Sequence, residues 1–118
     1  MSELELYLCF RKELDSICVS EILKQFEVTK IEYDGKTVGI LCAVPDYIDC
    51  IYILPEYRRK GLAKKSVLEF WNKHSGYDMR LHIINKNEPA LRFWNGIFEL
   101  QLLAKDNIDG LYRIVKAK

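Results

Sequence analysis

The spacing of apolar residues along the chain changes between a helical and a strand-like period, and this change predicts the elements. Between Lys12 and Phe26, apolar residues recur at every fourth position, which is typical of an amphipathic helix. Similar patterns predict helices from Gly61 to about His74 and from Asn87 to about Ile97. Shorter apolar runs predict strands at residues 4–10, 28–33, 37–43, 47–54, 79–84, 99–104 and 111–116.

The order of these elements, β-α-β-β-β-α-β-α-β-β, predicts an α/β fold with a mixed sheet flanked by helices. Asp34-Gly35 between two strands favours a tight hairpin. Strand 47–54, the helix after it and strand 79–84 can form a right-handed crossover. Ligands in such sheets bind beyond the carboxyl ends of the strands, which directs attention to the residues after 54.

Length and composition predict one ordinary globular domain, residues 1–118, since 49% of the residues are hydrophobic and 30% are charged. No stretch approaches the ~20 apolar residues that span a bilayer, and the N-terminus lacks the pattern of a signal peptide. We therefore expect a cytoplasmic protein without a membrane partner. The four cysteines lie in apolar stretches without a C-x-x-C pair, which favours buried thiols, and with only two histidines we expect no metal site.

Positive charge is concentrated in the segment YRRKGLAKK, residues 57–65, although the net charge of the chain is only +1. The low net charge argues against a general nucleic-acid surface, so DNA or RNA is not an expected partner. No acidic residue occurs between Tyr57 and Leu68, and Gly61 and Ala63 leave the backbone accessible where a helix begins. Free N–H groups at a helix start suit phosphate, so this segment predicts an anion site; a merely solvated helix start is the alternative.

Two motifs narrow the choice of phosphate ligand. A Walker loop is excluded because Glu56 stands where its first glycine would be. Residues 53–63, ILPEYRRKGLA, match the pattern V-x-P-x-x-R/Q-x-x-G-x-G/A, and residues 87–94, NEPALRFW, match N-x-x-A-x-x-F-Y with a final tryptophan. Over roughly residues 28–104 the chain thus resembles the Gcn5-related N-acetyltransferases, the GNAT family.

This resemblance implies the GNAT, or acyl-CoA N-acyltransferase, fold and direct transfer of an acetyl group from acetyl-coenzyme A to a primary amine. The acceptor would be a small-molecule or protein amine. Main-chain N–H groups between Tyr52 and Leu54 would polarise the thioester carbonyl. The cofactor-binding residues would be Ile51, Ile53, Leu54, Arg58, Arg59, Lys60, Gly61, Leu62, Ala63, Lys64, Asn87, Phe93 and Trp94.

By their positions relative to the family motifs, the candidate catalytic residues would be Asp49 and His82 as bases and Tyr52 as a hydroxyl donor, with Tyr112 as another. A base is needed because an alkyl ammonium has a pKa near ~10.4. Each candidate also has a structural interpretation. Asp49 could pair with a neighbouring cation, and His82 could be a partly buried side chain in the sheet.

Three departures from the family pattern qualify the resemblance. Trp94 replaces the tyrosine that often protonates the leaving thiolate, so a coenzyme A-binding module without catalysis, acting as a sensor or interaction subunit, is the alternative function. The glycine before Phe98 is Gly96, one position earlier than usual. The segment 11–27 is short, which predicts an open acceptor cleft that a second subunit of a homodimer could complete.

Overall fold

The computed structural model describes residues 1–118 as four helices and six strands. Two helices come first, followed by a three-stranded meander and then by alternating helices and strands. The helices are α1 (Glu3–Phe10), α2 (Ser16–Leu23), α3 (Leu62–Lys73) and α4 (Glu88–Ile97). The strands are β1 (Glu27–Tyr33), β2 (Lys36–Val44), β3 (Tyr47–Ile53), β4 (Arg80–Ile84), β5 (Phe98–Lys105) and β6 (Asp109–Ala117).

All six strands form one mixed sheet in the order β1-β2-β3-β4-β6-β5. Only β3 and β4 run parallel, on either side of the crossover through α3, and every other neighbouring pair is antiparallel. The β1–β2 hairpin turns at Asp34 and Gly35, both with positive φ, as the Asp-Gly pair predicts. The predicted fold class is therefore confirmed.

Each face of the sheet buries a different pair of helices. On one face α3 and α4 contribute Phe70 and Trp94 to a core with Phe98 and strand residues. On the other, α1 and α2 contribute Tyr7 and Val19 to a core with residues of β2 and β3. The centre of the sheet is thus the middle of three layers, and a side chain buried there faces one helix pair or the other.

The predicted first strand, residues 4–10, is wrong, because this segment forms α1. The alternation Leu4, Leu6, Leu8 resembles a strand, but Ser2 and Glu5 form a capping box that satisfies the first amides of a helix. The predicted helix 12–26 is shorter than expected, since the Asp15 carboxylate accepts from the Cys18 N–H and begins α2 at Ser16.

The cysteines are free, and two of them bear out the expected burial. Cys42 and Cys50 lie in the core, Cys9 is half-buried, and Cys18 is exposed on α2, where burial was wrongly expected. None of the four helices has the length and apolarity that crossing a bilayer would require.

Candidate active site

The parallel strands β3 and β4 separate after two residue pairs, and the gap between them is the main cleft of the molecule. Tyr47 pairs with Arg80 and Ile48 with Leu81, and no further pairs follow. The β2–β3 ladder, in contrast, continues to Ile53. The cleft has a volume of about 710 Å³ and is lined by residues of β3, β4 and the starts of α3 and α4.

A β-bulge lies where the strands begin to separate. Cys42 lies opposite Cys50 and Ala43 lies opposite Ile48, so Asp49 is the extra residue on β3. A bulge bends its strand and increases the local twist, which accounts for the divergence of β3 from β4 at this point. Asp49 was predicted from its position before the motif, and it lines the cleft directly after the last β3–β4 residue pair.

The separation leaves main-chain donors of β3 without a strand partner. The Leu54 N–H donates to the Val38 carbonyl at 2.9 Å, so it faces β2 and is not free, contrary to expectation. Because hydrogen-bonding direction alternates along an antiparallel strand, the N–H groups of Ile51 and Ile53 face the cleft instead. The free donors are therefore those of Ile51 and Ile53, and Leu54 packs toward α1 and α2.

The start of α3 lies at the outer end of the cleft and has no side-chain cap. Gly61 is the N-cap residue with φ +75°, and Arg59 before it has φ +65°. The first helical bond runs from the Lys65 N–H to the Gly61 carbonyl, so the amides before Lys65 lack helical partners. No acidic residue occurs in the first turn. The predicted set of exposed donors is present at the predicted position.

The basic residues around Gly61 differ in position. Arg59 and Lys64 line the cleft, whereas Lys60 lies over the Tyr33 ring at 5.2 Å and does not. The Arg58 Nε donates to the Ile53 carbonyl at 2.9 Å, so this side chain also fixes the loop. None of these cations forms an ion pair within the protein. Their charge is therefore available to an anion.

Asp49 and His82 both line the cleft, and each is paired with a tyrosine. The Tyr7 hydroxyl donates to Asp49 Oδ2 at 2.8 Å. The Tyr47 hydroxyl and His82 Nδ1 are 2.6 Å apart, and His82 is exposed in the cleft. Neither structural interpretation from the sequence holds, since Asp49 pairs with a hydroxyl rather than a cation, and His82 is not buried.

Neither Tyr7 nor Tyr47 was predicted from the sequence as part of the site. The capping box at Ser2 and Glu5 would have identified α1, the helix that carries Tyr7. No spacing in the sequence indicates that Tyr47 lies beside His82.

Burial raises the pKa of three of these groups. It raises the pKa of the Tyr7 hydroxyl well above its usual range, with the Asp49 carboxylate adding to the effect. Burial also raises the pKa of Asp49, partly offset by the Tyr7 hydrogen bond and the Arg11 charge. The pKa of Tyr47 rises through burial and the negative charges of Asp49 and Asp109. Both tyrosines are therefore hydroxyl groups at neutral pH.

The residues of α4 form a wall of the cleft. Trp94 is 7% exposed and its ring stacks near Phe98, with 6.3 Å between centroids. Phe93 lies beside it, and the Asn87 side chain accepts from the Ala90 N–H at 3.1 Å as the helix cap. Trp94 is thus a packing residue.

Of the remaining candidates, Tyr52 lines the cleft and Tyr112 packs on the α3/α4 face outside it.

Comparison with known proteins places this geometry in context. A family model described as the acetyltransferase (GNAT) family matches residues 5–96. Curated protein sequences gave no significant match.

Solved structures resemble the chain in fold, at identities too low to show more. PaiA N-acetyltransferase from Thermoplasma acidophilum, in complex with coenzyme A, is 19% identical, with a TM-score of 0.70 over 97% of this chain and 79% of that one. A Bacillus subtilis acetyltransferase in complex with CoA is 16% identical, with a TM-score of 0.69 over 97% and 93%. Arabidopsis thaliana NAA60 in complex with a bisubstrate analogue is 16% identical, with a TM-score of 0.64 over 95% and 91%.

The family match covers most of the chain, and the split between β3 and β4 lies within it. The chain belongs to the acetyltransferase (GNAT) family.

Proposed function

We propose that the protein transfers the acetyl group of acetyl-coenzyme A to a primary amine by direct attack of the amine on the thioester. The observation that carries this proposal is the uncapped start of α3 at the outer end of a cleft whose inner end holds Asp49 and His82. Main-chain donors without a helical partner and two side chains able to accept a proton thus line one cavity, which supports the proposal.

Main-chain donors at the start of α3 would hold the diphosphate of the cofactor. The amides of Leu62 and Ala63 follow Gly61 in the first turn, where the helix dipole also favours negative charge. Arg59 and Lys64 line the same end and would add longer-range attraction. The cleft walls, with Phe93 and Trp94 on one side and Ile51 and Ile53 on the other, are apolar and suit the linear arm of the cofactor.

Bound acetyl-coenzyme A would supply an acetyl group activated as a thioester. The N–H groups of Ile51 and Ile53 face the cleft and would stabilise negative charge on the carbonyl oxygen during attack. PaiA from Thermoplasma acidophilum and the Bacillus subtilis acetyltransferase were solved with coenzyme A, and both share the fold of this chain.

The incoming amine must lose a proton, and the cleft offers two acceptors. Asp49 is a half-buried carboxylate, and His82 is an exposed imidazole. His82 accepts at Nε2 only when Nδ1 carries the proton and donates to the Tyr47 oxygen. Trp94 has no hydroxyl, so Tyr52, which lines the cleft, is the candidate proton donor to the thiolate.

The acceptor is a small-molecule or protein amine. NAA60 was solved with a bisubstrate analogue, which favours neither class for this chain at 16% identity. A homodimer in which a second copy covers the open acceptor side belongs to the same proposal.

The test combines a melting curve with a thiol-release assay. Acetyl-coenzyme A should raise the melting temperature, and one member of a panel of small and peptide amines should release free coenzyme A thiol. A melting shift without thiol release for any amine would favour the sensor or interaction subunit. No shift at all would reject both functions.

A further inference from the structure

Tyr7 on α1 is the direct partner of the Asp49 carboxylate. Its side chain is 1% exposed, and its hydroxyl reaches Asp49 Oδ2 at 2.8 Å across 42 residues of sequence. Its ring also packs edge-on against Phe10, with 5.6 Å between centroids. Tyr7 does not line the cleft, whereas Asp49 does. Phe10 also lines the cleft, so the Tyr7 ring reaches it through Phe10, whereas the Tyr7 hydroxyl reaches it through Asp49.

The bulge explains why Asp49 needs such a partner. Residues of a regular strand alternate between faces, but Asp49 and Cys50 both lie on the α1/α2 face. Cys50 fills the core there, and the extra residue of the bulge has no partner on β2 to fix it. The Tyr7 hydrogen bond supplies a fixed contact and holds one oxygen of the carboxylate.

The other charged and titratable groups around Asp49 do not replace this contact. Arg11 lies nearby but pairs with Glu13. Tyr47 and Cys50 are neighbours of Asp49 on β3 itself, and His82 lines the same cleft from β4. No cation forms a salt bridge with Asp49. Burial raises the pKa of Asp49, while the Tyr7 hydrogen bond and Arg11 lower it.

We infer that Tyr7 is a positioning residue, which holds the Asp49 carboxylate in the gap between β3 and β4 as the group that takes the proton of the acceptor ammonium. The inference rests on the proposed acetyl transfer and assigns the base within it. An N–H bond of the ammonium breaks, its electron pair stays on nitrogen, and the proton bonds to Asp49. Tyr7 holds Oδ2, which leaves Oδ1 for the amine, and Tyr7 keeps its own proton throughout.

Tyr7→Phe tests this because it retains the ring and removes only the hydroxyl. Without the donor, the pKa of Asp49 must rise, since the hydrogen bond stabilises the charged form. The acid limb of the kcat/KM profile should then move to higher pH. At acid pH, kcat/KM should fall roughly tenfold, which corresponds to the free energy of one hydrogen bond to a charged group. At high pH the decrease in kcat/KM should be smaller. Carboxyl NMR of Asp49 measures the same change without any substrate.

Two controls separate this role from general damage. Tyr77→Phe makes the same chemical change at a tyrosine that is 56% exposed after α3, and it should leave the profile unchanged. In Asp49→Asn, adding Tyr7→Phe should cost no further activity, since the hydroxyl would act only through the carboxylate. The melting shift with coenzyme A should persist in each variant, which shows that the cleft is intact.

Each outcome decides the inference. The inference is supported if Tyr7→Phe raises both the pKa of Asp49 measured by NMR and the pKa of the acid limb of kcat/KM. If the pKa of Asp49 rises but the acid limb does not move, the inference is overturned and His82 is favoured as the base. If the pKa of Asp49 does not change, Tyr7 and Asp49 are not coupled and the inference is also overturned. If the wild-type protein releases no thiol with any amine, the proposed function fails as well, whereas a turnover with a fixed acid limb rejects only the role of Tyr7.

Discussion

Helices α3 and α4 begin at the same cleft, yet their first turns are satisfied in opposite ways. At α4 the Asn87 side chain accepts from the Ala90 N–H, and Glu88 and Pro89 follow, so the helix supplies its own cap. At α3 the N-cap is Gly61, which has no side chain to offer, and the residues around it are cationic. Both starts line the cleft, so the difference does not come from exposure.

The difference indicates what each start is for. A capped start contributes about 1 kcal/mol to stability and leaves little for a ligand. An uncapped start lacks that stabilisation, but its N–H groups stay free and form hydrogen bonds when an anion binds. Helices α1 and α2 are also capped by their own side chains, Ser2 and Asp15, so α3 is the exception among the four.

The largest expected effect comes from giving α3 an acidic residue at its start. Gly61→Asp places a carboxylate where the diphosphate would lie. The carboxylate would compete with the diphosphate for two charge-assisted hydrogen bonds, which should weaken the binding free energy by about 3 kcal/mol. Affinity for coenzyme A should then fall on the order of 100-fold, measured by calorimetry. In Gly61→Asn, whose side chain has the same size but no charge, the affinity for coenzyme A should fall less.

Gly76→Asp is the matched control at the other end of the same helix. Gly76 also has positive φ, and a Cβ there meets no neighbouring atom, as at Gly61. Both aspartates strain the backbone, but the helix dipole favours a negative charge at Gly61 and disfavours one near Gly76, so Gly76→Asp should lower the melting temperature at least as much. Equal losses of coenzyme A affinity in the two variants would contradict an anion site at α3.

An intermediate effect, on stability rather than binding, is expected at α4. Asn87→Ala removes the cap and should lower stability by about 1 kcal/mol, or roughly 4 °C in melting temperature for a chain of this size. Asn87→Ser keeps a capping oxygen and should recover most of that loss. Coenzyme A affinity should fall only a few-fold in both, because at most one amide donor is removed.

The Ser variant decides whether the contrast is correct. If Asn87→Ser retained stability but lost as much affinity as Gly61→Asp, the start of α4 would be a ligand site equal to that of α3. The cap and the cofactor contact that the motif implies would then both be served by Asn87.

The sequence predicted the α3 half of this contrast well, because its chemistry is local. A strand, a proline turn, a glycine and a helix lie within residues 47–73, and their spacing alone fixes where the free amides occur. It predicted α1 poorly, since Leu4, Leu6 and Leu8 fit a strand as well as a helix and only the short capping box distinguishes them.

The surroundings of the candidate acid–base groups were predicted only in part, because their partners are distant in sequence. Asp49 and His82 follow from their positions before the two motifs. Their partners Tyr7 and Tyr47 depend on the docking of α1 and on the parallel pairing of β3 with β4, which no local pattern encodes. The bulge at Asp49 could not be predicted from the sequence either, because it depends on the register between β3 and β2.

The smallest expected effect distinguishes two adjacent lysines of the first turn of α3. Lys64 lines the cleft, whereas Lys65 lines a separate, smaller pocket together with Thr29 and Glu69. Lys64→Gln should lower coenzyme A affinity about threefold, as expected for an exposed charge pair of about 0.7 kcal/mol, and Lys65→Gln should change it less. Because exposed charges are screened, the difference should shrink as salt approaches ~1 M. Equal losses of coenzyme A affinity in Lys64→Gln and Lys65→Gln at all salt concentrations would mean that the cations attract the anion only through their summed long-range charge. The main-chain donors of α3 would then be the only part of this segment that locates the anion.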